Sequence, residues 1–119
     1  MYNIPYLCIV VRKIVAYGRY YSDFMKSLSD QERLKIQRAL LLFSTNDRVP
    51  SHYIKYLKEG IYEFRVTYGH SEFRIFFCYD GDKLVILFNG LRKKTTKTPQ
   101  AELKRAIKLK EEYYAEKEK

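Results

Sequence analysis

Between Lys83 and Lys110 nine cations (Lys83, Arg92, Lys93, Lys94, Lys97, Lys104, Arg105, Lys108 and Lys110) stand against one acid, Glu102. That stretch alone carries a net charge of +8, about the excess of the whole chain, which is +9. Arg92, Lys93, Lys94 and Lys97 are interleaved with Thr95, Thr96 and Thr98, on the connection between an apolar run and a helical one. Two more cations, Arg65 and Arg74, lie upstream on strand-like runs. Converging cations repel one another unless an anion fills the gap. Phosphate suits this set, because guanidinium forks match its oxygens, lysines add point charge and hydroxyls donate further hydrogen bonds. A competing reading pairs Arg65 with Glu63 or Glu72 across a sheet and leaves the Lys/Thr segment solvated.

The elements that must position these residues follow from patterning. At 119 residues, 46% apolar and 16% aromatic, the chain reads as one folded domain, residues 1–119. Cys8 and Cys78 lie in apolar surroundings without metal-ligand spacing, and read as small hydrophobes of a reducing compartment. The apolar run Ile4 to Val11 is too short to span a bilayer, which needs ~20 residues, and its charges follow it where a signal peptide would have them first. A cytosolic protein that needs no membrane or cofactor is expected. Ile9 to Tyr17 reads as a strand ended by Gly18, and Tyr20 to Leu28 as a short amphipathic helix. Ser29 and Glu32 form a capping box opening a helix with Ile36, Ala39, Leu40 and Phe43 on one stripe. After a polar loop through Pro50, three strands are predicted: Ile61 to Tyr68, Phe73 to Tyr79, and Leu84 to Phe88, the last pair joined by a tight turn at Asp80-Gly81. Thr98 reads as the N-cap of the last helix and Pro99 as its first residue. Its end, residues 111–119, is expected to fray. The fold class is therefore α+β, in the order β-α-α-β-β-β-α. An antiparallel-rich sheet is packed by helices on one face, and Arg65 and Arg74 stand on the open one.

From Leu57 onward the chain resembles the RelE/HigB-like toxins of type II toxin-antitoxin modules, in the branch related to phage-derived host-killing proteins of the RelE/ParE superfamily. Three blocks carry the likeness in order: Gly60-Ile61-Tyr62-Glu63-Phe64-Arg65, Phe73-Arg74-Ile75, and Leu91 through Pro99 (LRKKTTKTP). Leu91 stands where the branch usually has Phe. Chains of the branch tend to begin near Lys13, so residues 1–12 read either as an N-terminal extension or as an artefact of the assigned start site.

The resemblance implies a RelE-like fold and a metal-independent endoribonuclease, a ribosome-dependent mRNA interferase that cuts translated messenger RNA and is neutralised by a cognate helix-turn-helix antitoxin. DNA would be met only through the antitoxin complex. The catalytic set it implies is Arg65, Arg74, Lys93 and Lys94, with Lys55, Lys58, Arg92, Thr95 and Lys97 binding RNA. One of these cations, with its pKa lowered by its neighbours, would transfer protons. His52 and His70 lie outside the matching blocks and read as surface residues. Tyr53 and Tyr56, in the loop before the strands, are either packing or base-stacking residues. Two alternatives remain open: a non-catalytic, ParE-like inhibitor of DNA gyrase, and a plain RNA-binding module.

Overall fold

The computed structural model describes residues 10–93 and 98–118. In chain order the elements are β1 (Lys13–Ala16), α1 (Tyr20–Lys26), α2 (Asp30–Thr45), β2 (Ile54–Lys58), β3 (Ile61–Tyr68), β4 (Ser71–Tyr79), β5 (Leu84–Lys93) and α3 (Gln100–Lys117), with a 3-10 turn at Ser51–Tyr53. The strands form one mixed sheet in the order β1-β5-β4-β3-β2, in which β1 runs parallel to β5 and the other neighbours are antiparallel.

Local chemistry accounts for the hairpin of helices. The Ser29 hydroxyl accepts from the Glu32 backbone N–H while the Glu32 carboxylate accepts from that of Ser29, which satisfies two donors at the start of α2. Ile36, Ala39, Leu40 and Phe43 are buried as a stripe. At the other end of α2, Arg12 donates to the carbonyls of Phe43, Asn46 and Asp47 at 2.7, 2.6 and 2.6 Å, and its guanidinium lies over the Phe43 ring. One side chain thus satisfies several orphan acceptors of the helix terminus, and Arg12, the last residue of the expected extension, is tied into the domain.

Three expectations are corrected. Among the described residues the first strand is Lys13–Ala16, shorter than the run Ile9 to Tyr17. The segment read as a loop before the strands holds a fourth antiparallel strand, β2, which carries Lys55 and Lys58; it is a short edge strand with two lysines, a form that discourages further pairing. Helices cover both faces of the sheet, not one. Phe64, Val66, Phe73, Ile75, Phe77, Val85 and Leu87 pack under α1 and α2, whereas Ile61, Phe76, Cys78, Ile86 and Phe88 pack under Leu103, Ala106 and Leu109 of α3. The unbroken buried run from Phe73 to Cys78 is what a central strand covered on both sides requires. Over that second face α3 runs to Lys117. Its last turns are held by Tyr113 and Lys117, which donate to the Asp80 carboxylate, and by Tyr114, which donates to the Tyr79 carbonyl.

Candidate active site

The site begins with strand register. Arg65 on β3 and Arg74 on β4 are direct cross-strand partners, as are Glu72 on β4 and Lys93 on β5. Residues two apart on a strand share a face, so Glu63 and Arg65, Glu72 and Arg74, and Lys93 all stand on the α3 side of the sheet.

Lys93 owes its place there to an irregularity. Phe77 pairs with Leu87, but Ile75 pairs with Gly90, so Phe76 alone faces both Phe88 and Asn89. One extra residue in β5 reverses the alternation beyond it. Without that bulge, Arg92 would fall beside Glu72 and Lys93 would turn to the other side. With it, Arg92 lies over the Phe73 ring on the α1/α2 face and donates to the carboxylate of Glu32 and the hydroxyl of Ser71. There it borders a separate pocket of about 400 Å³ between α1, β5 and α3.

Glu63 is the hub of the cluster; in the sequence it reads only as a competing counter-charge for Arg65, not as a site residue. It is fully buried, 0% exposed, and its Oε1 lies 3.0 Å from Arg65 Nε and 3.1 Å from Arg74 Nε. Its Oε2 accepts from the Thr98 hydroxyl at 3.0 Å. That contact corrects the expected cap: Pro99 holds the N-cap position of α3, no side chain caps it, and the Thr98 hydroxyl turns to Glu63 instead. Arg74, 3% exposed, also donates from Nη1 to Glu72 at 3.0 Å. Its Nε is close enough to Glu63 for an ion pair, yet the N–H is not directed at an acceptor. The pairing of Arg65 with Glu63 that the competing reading supposed is therefore present. A sequence signal for Glu63 existed in its two-residue spacing from Arg65, but alternation alone reads an acid on a strand as solvent-facing.

Three cations, Arg65, Arg74 and Lys93, meet two carboxylates, Glu63 and Glu72, leaving one positive charge in excess. The imbalance registers on Lys93: burial, and then the charge of Arg74, push its pKa below the ordinary lysine value, against the opposing pull of Glu63 and Glu72. The hydrogen bond from Arg74 holds the Glu72 carboxyl below its usual range. Chemically, such a cluster offers a guanidinium fork, a second guanidinium fixed behind it, and an ammonium that yields its proton more readily than a free one.

The remaining sequence-predicted residues fall outside the cluster or outside the described residues. Lys55 is opposite Glu63 in register, so it leaves β2 on the same side but exposed at the sheet edge. Lys58 is exposed at the far end of β2, opposite Ile61. Lys94, Thr95 and Lys97 lie outside the described residues.

The sequence model of the family described as Phage derived protein Gp49-like (DUF891) matches residues 23–111. The chain belongs to that family. Gp49-like proteins sit within the RelE/HigB-like toxin-antitoxin superfamily and are associated with the toxins of such modules, which implies an antitoxin as partner. No curated protein matches this Gp49-like chain. Among its described residues no helix is long and apolar enough to cross a membrane.

Proposed function

We propose that the protein is the toxin of a type II toxin-antitoxin module, a ribosome-dependent mRNA interferase silenced by a cognate helix-turn-helix antitoxin. The observation that carries the reading is the under-neutralised cluster of Arg65, Arg74 and Lys93 on one side of the sheet, next to the most basic part of the chain.

The reaction is attack of a ribose 2′-hydroxyl on the adjacent phosphate, forming a 2′,3′-cyclic phosphate and expelling the 5′-oxygen of the next nucleotide. It needs an acceptor for the 2′-hydroxyl proton, a donor for the leaving oxygen, and positive charge where the phosphorane becomes more negative. Arg65 uses Nε on Glu63, so the terminal nitrogens of its fork extend toward a phosphate. Arg74, locked by Glu63 and Glu72, supplies fixed positive potential without reorganising. Lys93, its pKa lowered by burial and by Arg74, exchanges protons with the reacting oxygens. With no histidine in the cluster, the protein would be a weak nuclease on free RNA, and a ribosome that presents the message in an aligned conformation supplies the missing positioning.

A second reading takes the surface as binding only, as in a gyrase-inhibiting relative. It draws on the carboxylate already matched to each arginine. Adding the protein to a translating extract and mapping messenger 5′ ends separates the two. New ends within translated frames are expected; no new ends, together with inhibited DNA supercoiling by gyrase, would establish the second reading.

A further inference from the structure

Resting on the ribonuclease reading, a second feature beside Arg65 concerns the base, not the phosphate. Four rings form a column running from the core to the surface. Phe43 and Phe64 are stacked at 5.4 Å and 17°, and Phe64 and Tyr53 at 5.7 Å and 15°. Tyr53 and His52 follow at 4.4 Å and 33°. Phe43 and Phe64 are wholly buried, Tyr53 is half-buried and His52 is exposed. Packing therefore fixes Tyr53 in place, and the imidazole of His52 is the outermost ring, backed by Tyr53 on one side.

This end of the column opens on a pocket of about 330 Å³ whose wall includes Lys35, Arg65, Thr67 and Glu72. Two of these, Arg65 and Glu72, belong to the charge cluster itself. An exposed ring on a rigid backing, next to a guanidinium placed for phosphate, has the form of a stacking platform on which a base rests while its backbone is held electrostatically. The rim also carries groups able to meet a base edge: Glu72 accepts, and Lys35 and Thr67 donate. We propose that His52 is the stacking platform for one nucleobase of the RNA strand whose phosphate lies at Arg65, with Tyr53 as its support and not itself a contact.

The test compares messenger cleavage in a translating extract by the purified wild-type chain, His52→Ala and His52→Phe, with thermal melts confirming equal folding. Loss of a stacked base should lower the cleavage rate of His52→Ala about tenfold. His52→Phe should stay within about threefold of wild type, since a phenyl ring stacks but cannot carry a proton. Wild-type rates for His52→Ala would overturn the platform while leaving the nuclease standing. A phenylalanine variant as impaired as the alanine one would overturn it too, assigning His52 to hydrogen bonding or proton transfer. A wild-type chain that cuts nothing would remove the ribonuclease reading, and this proposal with it.

Discussion

Arg92 and Lys93 are neighbours in the chain and opposites in the fold. Arg92 turns to the α1/α2 face, where an aromatic ring, a carboxylate and a hydroxyl occupy it. Lys93 turns to the α3 face, where burial and then Arg74 weigh on its charge and two carboxylates serve three cations. A count of cations treats the two alike. What separates them is the one-residue bulge in β5 and the ratio of acid to base around each. On the first side the charges are matched and half-exposed, so little is gained or lost by their presence. On the second they are partly desolvated and unbalanced, which favours an incoming anion.

The comparison can be broken at its centre by removing Glu63. In Glu63→Ala the buried Arg74 loses a main counter-charge, and urea unfolding should show a loss of about 3–5 kcal/mol. Glu72, 46% exposed in its side chain, should lose no more than about 1 kcal/mol as Glu72→Ala. Equal losses would mean that burial does not distinguish the two carboxylates. On the opposite, apolar face Ile36→Ala, at a buried position of α2 outside the ring column, should remove about 2–5 kcal/mol by leaving a cavity, while cleavage per folded molecule stays at the wild-type level. A matching loss of activity would show that the two faces are coupled.

Titration sharpens the contrast in both directions. Asp80 is held below its ordinary value of 3.8 by hydrogen bonds from Lys117 and Tyr113. A depressed carboxylate contributes stability above its unfolded pKa and loses it as the pH falls through the folded one, so Asp80→Asn should flatten the loss of stability below pH 3.8. Lys93 has the opposite sign. Its folded pKa lies below 10.5, so the unfolded chain binds that proton more tightly, and stability should rise with pH across the interval up to 10.5. Lys93→Met should abolish that rise in unfolding measured against pH. The smallest effect belongs to Arg92: its pairing with Glu32 joins a 38% exposed side chain to a 14% exposed one, and Arg92→Ala should shift stability by only about 0.5 kcal/mol.

Much of this was legible in the sequence wherever the signal was local. The Ser29/Glu32 box, the stripe from Ile36 to Phe43 and the alternation that puts Arg65 and Arg74 on one side all depend on spacing within a few residues. What escaped depended on distant partners. β2 is an edge strand whose pattern of exposure is weak, and only pairing with β3 reveals it. The second covered face follows from α3 returning over the sheet, which patterning in β4 hinted at through its continuous apolar run. The bulge that exchanges Arg92 for Lys93 leaves no mark in composition, and the burial of Glu63 needs Arg74 and Thr98 to be brought to it from elsewhere in the chain.

The central claim is that Lys93, its pKa lowered by burial and by Arg74, moves protons at a phosphate held beside Arg65. Single-turnover cleavage of messenger RNA on stalled ribosomes tests it directly, with Lys93→Ala and Lys93→Arg compared to wild type. Arginine keeps the charge but does not give up its proton at accessible pH. Both variants should therefore lose about a hundredfold or more in rate, with thermal melts confirming that each is folded. Cleavage by Lys93→Arg at the wild-type rate would contradict the claim and reduce the cluster to a charged anchor.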